Sequence, residues 1–184
     1  KTGTPLMSLE TQSRVKGFDV VAFSISFETD YLNMAKMLQL ADIPVWSAER
    51  EEHHPLVIMG GAASFLNPEP IADFTDVIAV GEGEILAFQL IDAVVENDSK
   101  EDILLTLARI GRGFYVPSLY DVIYNDDGTV FDYLPKQIGV PKRVSRALAS
   151  VNPKEGTLRR ALKRGETELA DFLLNQDTFC PSTA

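Results

Sequence analysis

The chain has 184 residues, 45% of them hydrophobic and 24% charged, a globular mixture that excludes wholesale disorder. Its 17 basic and 27 acidic side chains leave a net charge of −10, which argues against nonspecific nucleic-acid binding by the body of the protein. No apolar run reaches the roughly 18 residues of a membrane-spanning helix. Lys1 to Leu6 lack the basic-then-apolar form of a signal peptide, and a single cysteine, Cys180, excludes an internal disulfide or a zinc or iron–sulfur site built from several cysteines of this chain. A reducing cytoplasm is the expected compartment.

Phe18 to Ile25 is a nearly continuous apolar run after Gly17 and predicts a strand buried on both faces of a parallel sheet. Thr29 to Ala41 keeps a helical period through Tyr31, Met34, Ala35, Leu38 and Ala41, with Thr29 or Asp30 as its cap. Ile43-Pro44-Val45 predicts a further extended piece, and Glu49 to Pro55 a solvated, charged loop. Leu56 to Met59 is the second buried run, stopped by Gly60-Gly61. Asn67-Pro68-Glu69-Pro70 opens a short helical turn reaching Phe74. Val77 to Val80 is the third run and ends at Gly81-Glu82-Gly83-Glu84. Helices are expected from about Glu84 to Glu96 and from Lys100 to Ile110, the second capped by Ser99.

Alternating buried strands, glycine turns and helices point to a three-layer α/β fold with a parallel sheet and helices on both faces. The pattern then changes. Tyr120–Tyr124 and Thr129–Leu134 flank Asn125-Asp126-Asp127-Gly128, the signature of a β-hairpin. Residues 1–141 carry 9 Lys/Arg against 22 Asp/Glu, whereas residues 142–184 carry 8 against 5, a change of sign that suggests a boundary. Three regions are therefore expected. Residues 1–118 form the α/β domain and 119–142 a hairpin linker. Residues 143–184 form a basic tail with one helix, Leu158 to Leu174, held apart from the sheet.

Three loops follow the carboxyl ends of the predicted strands: Ser24 to Glu28, Gly60 to Ser64, and Gly81 to Glu84. In open α/β sheets that edge is where ligands bind. Ser24 and Ser26 would offer hydroxyls there, while Gly60, Gly61, Gly81 and Gly83 would let backbone approach a ligand. Each glycine also has a plainer reading as a tight turn. Glu82 and Glu84 are either an acid–base pair or partners of N–H groups at a helix start. Gly81 to Glu84 does not continue as G-x-G-x-x-G, since position 86 is Leu, and no phosphate loop is present. His53 and His54 lie in the charged loop with no third ligand at zinc-site spacing. Ser24 and Ser26 lack the G-x-S-x-G elbow of a hydrolase. The basic tail reads as a solvated helix face or as a docking surface.

One ordered set of segments carries a family resemblance. It comprises Pro5 to Thr11, Phe18 to Ser24, Asn33 to Pro44, Pro55 to Gly61, Asn67 to Pro70, Val80 to Glu84 and Tyr115 to Tyr120. In this order and spacing they resemble the N-terminal region of a family of radical S-adenosylmethionine (radical SAM) proteins, which place a cobalamin-binding-like α/β domain before a catalytic barrel. The resemblance spans about residues 4–142. It implies a Rossmann-like, flavodoxin-like sheet beginning after the family's first strand and helix. It also implies a slot for a cobalamin tail lined by Ser24, Ser26, Gly60, Gly61, Gly81, Glu82 and Gly83. The C-x-x-x-C-x-x-C triplet that holds a 4Fe–4S cluster is absent, as is the D-x-H-x-x-G segment that ligates cobalt. S-adenosylmethionine and the cluster thus belong to a catalytic domain outside this chain, which would be its partner. The expected role is an accessory cofactor- or substrate-binding domain without radical chemistry of its own. The alternatives are an interaction module with an empty crevice, or an enzyme using Glu82 and Glu84.

Overall fold

The computed structural model describes residues 5–148. The predicted helix over 158–174 and Cys180 lie outside them. Four strands form the main sheet: β1 (Val20–Ser24), β2 (Leu56–Gly60), β3 (Val77–Ala79) and β4 (Phe114–Tyr115). β1 and β2 are parallel, in register from Val20 opposite Leu56 to Ser24 opposite Gly60. β2 and β3 are parallel too, with Ile58 opposite Val77. The order across the sheet is β1-β2-β3-β4, the order of the chain. Val57, Met59, Val77 and Ile78 are fully buried, as expected for strands covered on both faces. Burial of each such side chain is worth about 1.5–3 kcal/mol.

Helix α1 (Tyr31–Leu40) lies between β1 and β2, and α2 (Gly83–Glu96) and α3 (Lys100–Arg109) follow β3. Met34 and Leu38 of α1, Leu86, Leu90 and Ile91 of α2, and Leu107 of α3 complete the core. Ser99 caps α3 as predicted, its hydroxyl accepting the Asp102 N–H at 3.1 Å. No described helix is long and apolar enough to cross a membrane.

Several expectations are corrected. The sheet is not wholly parallel, because β4 runs antiparallel to β3, with Ala79 opposite Phe114. The reason is the paired helices: α2 leads away from the carboxyl edge and α3 returns to it, so the next strand enters from that edge. β1 lies at the edge of the described sheet, with Val20 buried and Val21, Ala22 and Phe23 only half-buried. Thr29 and Asp30 do not cap α1 through a side chain. A 3-10 turn over Glu28–Asp30 leads into the helix, and the Tyr31 N–H bonds to the Glu28 carbonyl. Ile43 to Val45 forms no strand, since Arg50 takes the carbonyls of Pro44 and Val45 that a ladder would need.

Arg50 also overturns the solvated reading of its loop. Its side chain is fully buried, with Nη1 2.9 Å from Asp76 Oδ2. Its guanidinium donates to the carbonyls of Pro44 at 3.0 Å, Val45 at 2.9 Å, and Phe74. Asp76 in turn accepts the Val57 N–H at 2.7 Å, so one ion pair joins the starts of β2 and β3. Burial pushes the Arg50 pKa down while Asp76 opposes the shift. Lys100 holds the rest of the loop, its ammonium donating to the carbonyls of Glu51 and His54 at 3.0 and 2.8 Å.

The hairpin is as predicted: β5 (Tyr120–Tyr124) and β6 (Val130–Pro135) are antiparallel around the Asn125–Gly128 turn. It docks through aromatic rings, with the Tyr115 ring 5.3 Å from Tyr120 and 6.4 Å from Tyr133. The Tyr115 hydroxyl donates to Glu69 at 2.9 Å. The expectation that the chain beyond residue 142 keeps clear of the sheet fails for its described part. Ser145 and Ala147 form bridges with Arg112 and Gly81, because that edge still offers backbone N–H and C=O groups past the ends of β3 and β4.

Candidate functional site

The sheet brings the three predicted loops to one edge. Ser24 ends β1 directly opposite Gly60, at the end of β2, and Gly81 follows β3. Ser24 and Ser26 are exposed. Gly60 belongs to the sheet itself, where an added Cβ would stand 3.6 Å from the Ala79 Cβ in ordinary contact.

Gly61 is the tight point. Its φ is +97°, and an added Cβ would stand 2.5 Å from the Ile25 carbonyl oxygen and 2.7 Å from its nitrogen. The loops after β1 and β2 are knitted together there: the Ile25 N–H donates to the Gly60 carbonyl at 2.8 Å, and the Ala63 N–H to the Ile25 carbonyl at 3.0 Å. Ser64, next in the loop, turns inward and donates to the carbonyls of Gly61 and Ala79 at 2.8 and 3.0 Å.

The space beside Gly81 is occupied by Ala147. A Cβ on Gly81 would stand 2.7 Å from the Ala147 Cβ and 2.9 Å from its nitrogen. The Ala147 N–H donates to the Val80 carbonyl and the Glu82 N–H to the Ala147 carbonyl, both at 3.0 Å. Gly113, which the sequence reading did not single out, closes the other side. Its φ is +84°, its N–H donates to the Ser145 carbonyl at 2.7 Å, and a Cβ there would stand 2.9 Å from the Ala147 Cβ. Arg146 places its guanidinium 4.1 Å from the centre of the Phe65 ring. Of Gly60, Gly61, Gly81 and Gly83, only Gly83 faces open space. Glu82 stands at the N-cap position of α2 without a side-chain cap bond, and Glu84 is exposed in its first turn.

A cobalamin tail would need the backbone of Gly61 and Gly81 to be approachable. Ile25 and Ala147 stand on the Cβ side of these two glycines.

The histidines are at the opposite edge. A cleft of about 730 Å³ there is lined by Lys16, Asp42, Pro44, Glu49, His53 and His54, among others. The two imidazoles lie with centroids 3.9 Å apart, tilted by 37°, and His54 Nδ1 accepts the Glu51 N–H at 2.9 Å. Burial, and then the neighbouring His53, lower the His54 pKa. Lys16 is paired with Asp42. Among the described residues no group of three His, Cys, Asp or Glu is placed to hold a metal ion.

Comparison with known proteins adds three findings. Residues 1–117 match the family described as radical SAM proteins, N-terminal. An uncharacterized protein of Methanocaldococcus jannaschii is 32% identical over 76 residues, a stretch that covers 41% of this chain and only 16% of that relative. No solved structure matches the chain. The matched region takes in β1 to β4 with α1, α2 and α3, and by that match the chain belongs to the family of radical SAM N-terminal regions.

Proposed function

We propose that this chain acts as an accessory domain of a radical SAM protein, supporting a catalytic region by contact and carrying no radical chemistry itself. The observation behind this reading is the carboxyl edge of the sheet. Ile25 packs on Gly61, and Ala147 packs between Gly81 and Gly113, so the glycines hold the protein's own backbone. Beside the polar Ser26 and Glu28, the loops after β1 and β2 expose two large apolar side chains: Phe27 is 68% exposed and Leu66 72%. Such side chains suit contact with another protein surface. The partner would be the catalytic region of the parent protein.

The test is a titration of the chain with cobalamin, followed by visible absorbance and calorimetry. No spectral change and no heat are expected. Saturable binding with a shifted spectrum would overturn the contact reading. It would restore a second one, cofactor or substrate binding by Ser24, Ser26, Gly60, Gly61, Gly81, Glu82 and Gly83. That second reading draws on the exposed hydroxyl-bearing Ser24 and Ser26 and on the open space at Gly83.

A further inference from the structure

Beyond the ends of β3 and β4 the main sheet has a short cleft, and Ser145 to Ala147 lie in it as an extended strap. Three backbone hydrogen bonds hold the strap: Ala147 to Val80, Glu82 to Ala147, and Gly113 to Ser145. Its one inward side chain, Ala147, is 1% exposed and sits against Gly81 and Gly113, both with positive φ. A Cβ on Gly81 would collide with Ala147, and one on Gly113 with Leu86 and Ala147, so the socket exists because both positions are glycine, and the buried Ala147 methyl fills it. The preceding side chain, Arg146, lies over Phe65. Backbone pairing for affinity, with side-chain positions for selectivity, is the physics of strand addition to a sheet edge.

We propose that this cleft is a strand-accepting site for an extended peptide bearing arginine followed by alanine. In this chain it is filled in cis by Ser145 to Ala147, and the same sequence in trans, from a second copy of the chain, can occupy it. The site is selective at two places. The glycine socket, filled by the buried Ala147 methyl, selects against residues larger than alanine, and the exposed Phe65 ring favours a cation one residue earlier. The cis strap competes at an effective concentration of roughly millimolar, so an added peptide binds only when the strap is dislodged. This rests on the contact reading above. Failure of peptide uptake would remove the cleft alone, whereas cobalamin binding would remove the contact reading.

The experiment uses the full chain in three forms: unaltered, Ala147→Pro and Ala147→Leu. Proline removes the N–H that Val80 accepts, and leucine is too large for the socket. The probe is a fluorescently labelled peptide with the sequence of Lys142 to Leu148, and its control carries leucine in place of the alanine. Fluorescence anisotropy should show the peptide binding either variant roughly tenfold or more tightly than the unaltered chain, and the control binding none. Hydrogen exchange at Val57 to Met59 reports whether the core is intact. A protected core without peptide uptake, or equal uptake of the control, overturns the proposal. So does loss of core protection in both variants, which would make the strap part of the fold.

Discussion

Gly61 and Gly83 sit on the same edge of the sheet, yet a methyl group on each meets different surroundings. At Gly61 it would enter the Ile25 backbone, in a conformation that L side chains rarely adopt. At Gly83, the first residue of α2, it would meet nothing within 4 Å. Gly61→Ala should therefore cost about 2 kcal/mol or more, while Gly83→Ala should be neutral or slightly stabilising through helix propensity. Thermal unfolding separates them, with a fall of roughly 4–8 °C expected for Gly61→Ala. Equal melting temperatures would show that the Ile25 loop yields freely. A buried ion pair obeys a harsher rule. Asp76→Asn leaves the Arg50 guanidinium buried without its anion, and about 3–5 kcal/mol should be lost. Urea unfolding measures this, and a loss under 1 kcal/mol would mean that water reaches the guanidinium. Gly61 was legible as a site of close approach, though the object approaching it was not. Arg50 was misread because its sequence neighbours Glu49, Glu51 and Glu52 are exposed, while its partner lies 26 positions away. Nothing local marks one charge in such a run as buried.

At the scale of elements, legibility followed periodicity. The runs of β1, β2 and β3 and the stripes of α1, α2 and α3 were readable because burial selects residue type along each of them. β4 has two residues and the strap three, too short for any period. Both are held by backbone bonds that any sequence can make. The predicted edge loops do converge, but their occupants, Ile25 and Ala147, are ordinary apolar residues with no motif to announce them. The hairpin was announced by its turn, whereas its attachment was not. That attachment sets its pH response. Burial and the bond to Glu69 push the Tyr115 pKa well up, and burial with Glu69 pushes Tyr133 up to about 12, from an ordinary value of 10.0. Both hydroxyls are thus favoured neutral in the folded state. Their contribution is complete below the unfolded value and falls as pH rises toward the folded one. Between about pH 10 and 12 the hairpin should loosen, seen as tyrosinate absorbance rising together with loss of tyrosine near-ultraviolet dichroism. Tyr115→Phe removes one of the two ionisations and should shift the transition. If dichroism persists after the tyrosines ionise, the ring cluster is not what attaches the hairpin.

For the molecule as a whole, charge rather than packing distinguishes conditions. Residues 1–141 hold 22 acidic against 9 basic side chains, and the described exposed Lys–carboxylate pairs are few: Lys16 with Asp42, Lys136 with Asp121, and Lys142 with Asp132. Pairs of this kind are worth about 0–1 kcal/mol each. Repulsion among the remaining carboxylates acts over distances that salt screens, about 30 Å at 0.01 M falling to about 8 Å at 0.15 M ionic strength. Compaction concentrates that negative charge, so screening should favour the folded state. The Arg50–Asp76 pair, buried from solvent, should be largely indifferent to it. The urea midpoint should therefore rise when sodium chloride is raised from about 0.01 to about 0.15 M, with the slope of the transition unchanged. The same rise should appear in Asp76→Asn, displaced to lower urea by the loss of the buried pair. A midpoint that falls with salt would mean that the surface pairs outweigh the excess negative charge. A rise that vanishes in Asp76→Asn would trace the effect to the buried pair.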